Sequence, residues 1–158
     1  MSCERAFITV LGRYVWAMVN SYYAVLREEE YFPDAVYIVS EERYRFRAQK
    51  GKRAFEILNQ GYDVDCEVKV IVVEDVDFVS AGKRITEIIN NLDSSEIALD
   101  ITPGRKPLVT AALVPAIKQD LEHIYYLEVT DLKNMARPYL EIPLSKQTLW
   151  DFSKEVTR

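Results

Sequence analysis

Alternation between short Val- and Ile-rich segments and amphipathic segments constrains the fold of this chain more than any other feature. The strand candidates are apolar on both faces and comprise Ala6–Leu11, Ala35–Val39, Val68–Val73, Glu96–Ile101 and Ile124–Val129. Strands of this kind are covered on both sides of a sheet. Between them, apolar residues recur at the spacing of one helix face. Repeated βα units predict an α/β, Rossmann-like fold whose sheet is mostly parallel and has helices on both faces.

The alternation ends after the fifth predicted strand. A long loop, Asp131–Pro138, leads to a sixth strand candidate, Tyr139–Ile142, which we expect to pair with the fifth strand as a C-terminal antiparallel hairpin. The apolar spacing over residues 146–156 predicts a short helix. We therefore expect one Rossmann-like domain over residues 1–144 and a helical tail over residues 145–158.

The composition fits one compact domain and excludes several classes of protein. The chain has 158 residues, of which 49% are hydrophobic and 28% are charged, and its net charge of −5 argues against binding to duplex DNA. No segment reaches the roughly 18 apolar residues of a membrane helix, so we expect a cytoplasmic protein that does not enter the membrane. Cys3 and Cys66 have no Cys or His neighbours at metal-binding spacing, which predicts neither a zinc site nor a disulfide framework.

An Asp-x-Thr-x-Gly-x-Lys turn follows the fourth predicted strand, over Asp100–Lys106, and opens a helix. Gly104 lets the backbone approach a ligand closely. The first turn of the helix offers unpaired N–H groups and a positive dipole end, to which Arg105 and Lys106 add two formal charges. The turn is therefore predicted to bind an anion, and phosphate is the expected group.

The common strand order 3-2-1-4-5 brings a second loop, Gly12-Arg13-Tyr14, beside this turn. Ligands of open parallel sheets bind at such a switch point, outside the carboxyl ends of the strands. The loop has one glycine and not Gly-x-Gly-x-x-Gly, and Thr102–Lys106 lacks the spacing of a P-loop. We therefore expect no dinucleotide or other cofactor, and no metal.

At these two loops the chain resembles the CRISPR-associated Rossmann-fold (CARF) sensor domains. The resemblance covers roughly residues 5–143 and rests on Ile8-Thr9-Val10-Leu11-Gly12, on Asp100-x-Thr102-x-Gly104-x-Lys106 and on the order of the elements. The chain departs from the family where Pro103-Gly104 replaces paired glycines and Arg13-Tyr14 replaces small hydroxyl residues. The resemblance implies a homodimer that binds cyclic oligoadenylate, the messenger of type III CRISPR defence, across its two-fold axis.

The effector motifs that often follow such sensors are not found in this sequence. His123 has no arginine four to six residues upstream, and about 15 residues after the last strand are too few for a second domain. We therefore expect a stand-alone domain similar to the ring nucleases, acting on cyclic tetra-adenylate. In these enzymes a ribose 2′-hydroxyl attacks the neighbouring phosphate without a metal, so the protein holds the backbone in line and stabilises negative charge.

The resemblance assigns roles to residues of the two loops. Lys106, Arg105 and Tyr14 are the expected catalytic residues, which stabilise charge and orient the 2′-hydroxyl. The expected ligand-binding residues are Gly12, Arg13, Tyr14, Ser40, Thr102, Pro103, Gly104, Arg105 and Lys106. A plainer interpretation stays open for several of them: Arg13, Tyr14 and Arg105 as surface residues, and Thr102 as the cap of the turn.

Other charged residues are predicted to have structural roles. Asp100 organises the turn, because an ionised carboxylate beside phosphate repels it. His123, at the sheet edge opposite the loops, is expected to be a satisfied structural histidine. The basic segment Arg43–Arg53 is expected to be a solvated helix face, although its start also lies where it can border the pocket.

Two classes of function stay open beside the ring nuclease. One is a non-catalytic cyclic oligoadenylate sensor, or a fragment of a larger CRISPR effector. The other is a nucleotide-binding Rossmann-like protein outside the family. Binding and slow cleavage use the same residues, so the sequence does not separate the enzyme from the sensor.

Overall fold

A six-stranded sheet forms the centre of the computed structural model, which describes residues 4–94 and 96–156. The strands are β1 Arg5–Val10, β2 Ala35–Glu41, β3 Glu67–Val73, β4 Glu96–Asp100, β5 His123–Val129 and β6 Gln147–Asp151. Their order is β3-β2-β1-β4-β5-β6; the first five strands are parallel, and β6 is antiparallel to β5. The predicted α/β, Rossmann-like sheet and the adjacency of the first and fourth strands are confirmed.

Helices cover both faces of the sheet, as predicted. They are α1 Val15–Glu28, α2 Arg45–Gly61, α3 Phe78–Asn91, α4 Lys106–Lys118 and α5 Phe152–Glu155. Side chains alternate along β1, so that Phe7 contributes to the core that contains Tyr22 of α1 and Phe55 of α2. Its neighbour Ile8 contributes to the opposite core, with Leu108 of α4. Because both faces of β1 are buried, its carboxyl end is held rigidly beneath the first loop.

The antiparallel hairpin exists, but the prediction of its second strand was wrong. Tyr139–Glu141 forms a 3-10 turn between Pro138 and Pro143, and prolines interrupt strand pairing because they lack an N–H donor. The Tyr139 ring packs 4.8 Å, centroid to centroid, from the ring of Tyr23. The strand that pairs with β5 is β6, whose last residue, Asp151, accepts a hydrogen bond from the backbone N–H of Ile124 at 3.2 Å.

The predicted helical tail is therefore corrected. Within residues 145–156 the chain forms the end of the 3-10 turn Leu144–Lys146, then β6 and the single turn of α5, because apolar residues of this segment complete the sheet instead of forming a long helix. Cys66 is half-buried, with its thiol 3.7 Å from the carbonyl oxygen of Glu67, whereas Cys3 lies outside the described residues. Over the described parts of the chain, no helix has the length and apolar character needed to cross a bilayer.

Candidate functional site

The loops after β1 and β4 meet through their glycines. A Cβ atom added to Gly12 would lie 2.6 Å from the backbone nitrogen of Gly104 and 2.7 Å from its Cα. Gly104 itself has φ +94°, a conformation that other residues rarely adopt. Gly12 was predicted to bind the ligand, and the structure shows that its missing side chain makes room for the neighbouring loop. The two predicted loops, Gly12–Tyr14 and Thr102–Lys106, therefore form one continuous surface at the carboxyl edge of the sheet, which we call the crevice.

Asp100 holds the turn before α4 from inside the protein. Its fully buried carboxylate accepts hydrogen bonds from Thr9 Oγ1 at 2.9 Å, Ser21 Oγ at 2.6 Å and the backbone N–H of Thr102 at 3.0 Å. Burial raises the pKa of this carboxyl, although the three hydrogen bonds act in the opposite direction. The partners span β1, α1 and the turn itself. The prediction that Asp100 organises the turn is confirmed.

Thr102 and Pro103 shape the turn from its other side. The hydroxyl oxygen of Thr102 accepts a hydrogen bond from the backbone N–H of Leu127 in β5 at 2.8 Å, and Pro103 is buried. Thr102 therefore ties the turn to the neighbouring strand, which agrees with its plainer interpretation. The surface open to a ligand begins at Gly104.

The two helices that start at these loops have no side-chain caps. Tyr14 precedes α1 and Arg105 precedes α4 without capping hydrogen bonds, and neither helix has an acidic residue in its first turn. By contrast, Asp77 and Asp151 cap the helices α3 and α5. Uncapped N-termini keep N–H groups and a positive dipole end available to an anion. The carboxyl edge of β1 and β4 is thus electrostatically suited to phosphate.

Lys106 is the exposed cation of the turn. Its ammonium group has no hydrogen-bond or ion-pair partner among the described residues, and it lines a cavity of about 420 Å³. The other lining residues are Ile101, Gly104, Val109, Thr110, Tyr126 and Phe152. The cavity lies on the β5 side of the turn and does not include Arg13 or Tyr14. Lys106 is therefore available to a bound phosphate.

Arg105, predicted as a second cation for the ligand, is engaged within the protein. Its guanidinium donates to the carboxylate of Glu41 from Nε at 3.1 Å and from Nη2 at 2.5 Å, and it lies 5.4 Å from the centroid of the Phe78 ring. The hydrogen bond with Glu41 raises the pKa of Arg105. Sequence reasoning missed Glu41, because a pair 64 residues apart leaves no local pattern.

Arg13 and Tyr14 are exposed at the other loop. The Arg13 guanidinium lies 5.7 Å from the centroid of the Tyr14 ring, which is 41% exposed. Arg47, near the start of α2, donates from Nη1 to the carbonyl oxygen of Arg13 at 2.8 Å and lies 5.2 Å from the Tyr44 ring. The start of the basic segment therefore borders the crevice instead of being only a solvated face. The side chains of Arg13 and Arg47 and the exposed ring of Tyr14 therefore lie together at the loop after β1.

Two other predicted residues are removed from the crevice surface. Ser40 is completely buried in β2, where its hydroxyl donates to the carbonyl oxygen of Glu41 at 3.0 Å, so it presents no surface to a ligand. His123 lies at the opposite edge of the sheet, with Nδ1 2.7 Å from Asp151 Oδ2 and Nε2 2.5 Å from Glu96 Oε1. The structural role predicted for His123 is confirmed.

Several solved structures share this architecture, although no sequence comparison identifies a relative. No protein family and no curated protein matches the sequence. Can2 from Sulfobacillus thermosulfidooxidans, solved in complex with cyclic tetra-adenylate, matches with a TM-score of 0.61 and 18% identity over 81% of this chain and 32% of its own. Csm6 from Enterococcus italicus, bound to cyclic hexa-2′-fluoro-hexa-dAMP, matches with a TM-score of 0.60 and 14% identity over 98% of this chain and 45% of its own.

A third match is protein VC1899 from Vibrio cholerae, with a TM-score of 0.60 and 10% identity over 77% of this chain and 30% of its own. The chain spans less than half the length of each of these proteins. At these identities the likeness establishes the fold. The chain therefore has a Rossmann-like fold that is also found in two proteins solved with cyclic adenylates bound.

Proposed function

We propose that this chain is a cytoplasmic CARF-type domain that binds cyclic oligoadenylate, with cyclic tetra-adenylate as its ligand. One observation carries the proposal: two uncapped helix N-termini and the unpaired Lys106 meet where the backbones of Gly12 and Gly104 touch. The match to Can2 and Csm6, each solved with a cyclic adenylate, supports the same class of ligand.

Each part of the ligand has a chemical counterpart in the crevice. A phosphate at the start of α4 receives N–H groups and the Lys106 ammonium, and Arg13 reaches a second phosphate. The exposed ring of Tyr14 offers a stacking surface for an adenine base.

The ligand's symmetry favours a homodimer. A cyclic tetra-adenylate has two-fold symmetry, so an isologous pair of crevices matches it. The helices α3 and α4 provide the apolar face for this contact: Val79 is 71% exposed, Val114 48% and Ile117 67%. A two-fold axis that runs along this face, parallel to α4, keeps the two α4 helices pointing the same way. Because α4 begins at Lys106, both crevices then lie at the same edge of the dimer. We therefore place the dimer axis along α4, passing beside its N-terminus.

We further propose that the crevice cleaves the ring without a metal. The 2′-oxygen of a ribose forms a bond to the adjacent phosphorus while the bond from phosphorus to the 5′-oxygen breaks, and the 2′-hydroxyl proton ends on the 5′-oxygen. The products are a cyclic 2′,3′-phosphate and a 5′-hydroxyl. Lys106 stabilises the negative charge that develops on the phosphate, and Tyr14 orients the attacking hydroxyl.

A non-catalytic sensor is the second candidate, and the composition of the crevice favours it. Among the described residues of the two loops, no exposed carboxylate or histidine is present to accept the 2′-hydroxyl proton; Asp100 is fully buried. Binding needs no such group. The sensor would release the ring intact.

Incubation of the purified protein with labelled cyclic tetra-adenylate in excess chelator separates these functions. The nuclease yields linear products that end in a cyclic phosphate, and the Lys106→Ala variant yields them more slowly. A protein that binds the ring and later releases it uncleaved would be the sensor. Failure of the wild-type protein to bind the ring would refute the proposed ligand.

A further inference from the structure

Glu41, the last residue of β2, is a buried carboxylate that the proposed function leaves without a role. Its side chain is 1% exposed. It accepts two hydrogen bonds from the Arg105 guanidinium, at 3.1 and 2.5 Å, and one from the backbone N–H of Val76 at 3.4 Å. Glu41 therefore joins the ends of three segments at the same edge of the sheet: β2, the loop after β3 and the turn before α4.

Arg105 is fixed from two sides. Glu41 accepts hydrogen bonds from the N–H groups of Arg105. The ring centroid of Phe78, the first residue of α3, lies 5.4 Å from the guanidinium carbon of Arg105. Arg105 is also the residue immediately before α4, and Lys106 is the first residue of that helix. Holding the Arg105 side chain therefore restrains the backbone that places Lys106 and the first amides of α4.

The burial of Glu41 argues that Arg105 stays in this position when a ligand binds. If the guanidinium moved to a phosphate, the carboxylate would remain buried without a counter-charge, which is strongly unfavourable. Lys106 is not held in this way, since it is exposed and its ammonium group has no partner among the described residues. The two adjacent cations thus differ in role: Arg105 supports the turn, and Lys106 meets the ligand.

We propose that Glu41 is a positioning residue, which acts through Arg105 to hold the Thr102–Lys106 turn in its ligand-binding shape. The identity of the ligand rests on the function proposed above, but the contact between Glu41 and the turn does not. On this proposal Arg105 does not contact phosphate, in contrast to the role expected from the sequence.

The first test uses the protein without ligand. Hydrogen exchange of the Thr102 and Val109 amides, which donate to Asp100 Oδ1 and to the Arg105 carbonyl oxygen, is compared in Glu41→Gln and in the control Glu42→Gln. Glu42 is the adjacent, exposed carboxylate, which pairs with Arg45 at 2.7 Å. We expect faster exchange of the turn in Glu41→Gln only. Exchange in Glu41→Gln that matches the wild-type protein overturns the proposal.

The second test measures binding of cyclic tetra-adenylate and its salt dependence, at a temperature where every variant is folded. We expect Glu41→Gln and Arg105→Gln each to weaken binding by about tenfold. The double variant should be no worse than either single one, because the two residues act as a unit. Arg105→Lys should not restore binding, because an ammonium lacks the two-pronged geometry of guanidinium. The slope of log K against log salt should stay that of the wild-type protein.

A direct phosphate contact by Arg105 predicts different results. Glu41→Gln would then release Arg105 and preserve or tighten binding, while Arg105→Gln would reduce the salt slope by about 0.7. That combination overturns the proposal. If the wild-type protein does not bind the ring, the proposed ligand is wrong, and the hydrogen-exchange comparison still decides the role of Glu41.

Discussion

Replacing Gly12 with alanine should separate the two loops that form the crevice. The added Cβ would lie 2.6 Å from the Gly104 nitrogen, whereas ordinary contacts begin at 3.4 Å, so the backbones must move apart by about 0.8 Å. Backbone atoms cannot rotate away as a flexible side chain can. We expect Gly12→Ala to destabilise the protein by about 2 kcal/mol, within the range for overpacked sites. For a chain of this size, that cost lowers the unfolding temperature by roughly 4–8 °C.

The same displacement should weaken ligand binding, because it moves the start of α1 relative to the start of α4. We expect cyclic tetra-adenylate to bind at least about tenfold more weakly to Gly12→Ala. The matched control is Gly61→Ala at the end of α2, where an added Cβ has no neighbour within 4 Å. That variant should be unchanged or slightly more stable, because alanine restricts the unfolded chain.

Differential scanning calorimetry and ligand titration of the two variants provide the measurements. If Gly12→Ala unfolds and binds like the wild-type protein, the loops are not packed as described and the crevice argument is refuted.

Three further predictions concern the ligand, the dimer and pH. Lys106→Ala should lower single-turnover cleavage by about 10²-fold and binding by less, since the helix N-termini and Arg13 still hold phosphate; equal losses would remove its catalytic assignment. Ile117→Asp on α4 should give a monomeric mass by light scattering, while the exposed Ile57→Asp on α2 should not; a dimeric Ile117→Asp would exclude this face. Burial opposes protonation of His123, but hydrogen bonds with the carboxylates of Asp151 and Glu96 raise its pKa above the ordinary 6.5. The resulting stabilisation is complete below about pH 6.5 and is lost as the pH rises through the raised value. The difference in unfolding temperature between the wild-type protein and His123→Gln should therefore shrink as the pH rises above about 6.5 and through the raised pKa; a constant difference would contradict it.

Residues whose roles depend on strand position were predictable from the sequence. Runs of apolar residues identified the five parallel strands. The signal is continuous because β1, β2 and β4 are buried on both faces, and β3 and β5 keep the same apolar composition although they are only partly buried. The rule that ligands meet at a switch point then brought the Gly12 loop beside Gly104. The turn-organising role of Asp100 followed from the repulsion between an ionised carboxylate and phosphate. These inferences need only local pattern and topology.

Contacts between distant segments were not predictable. Tyr139–Ile142 has the apolar pattern of an edge strand, but flanking prolines and the contact of Tyr139 with Tyr23 favour a 3-10 turn. The antiparallel strand lies further along the chain, at β6, where Asp151 accepts a hydrogen bond from the backbone N–H of Ile124 in β5. Likewise, the pairing of Arg105 with Glu41 makes a residue that looks like a free cation into a structural one. Each outcome depends on a partner that no local spacing reveals.

We propose that the two loops bind a symmetric cyclic adenylate between two copies of this chain. The decisive experiment is isothermal titration of cyclic tetra-adenylate into the wild-type protein with excess chelator. We expect saturable binding at micromolar concentration or tighter, with one ring for every two protomers. Absence of binding, or one ring per protomer, would contradict it.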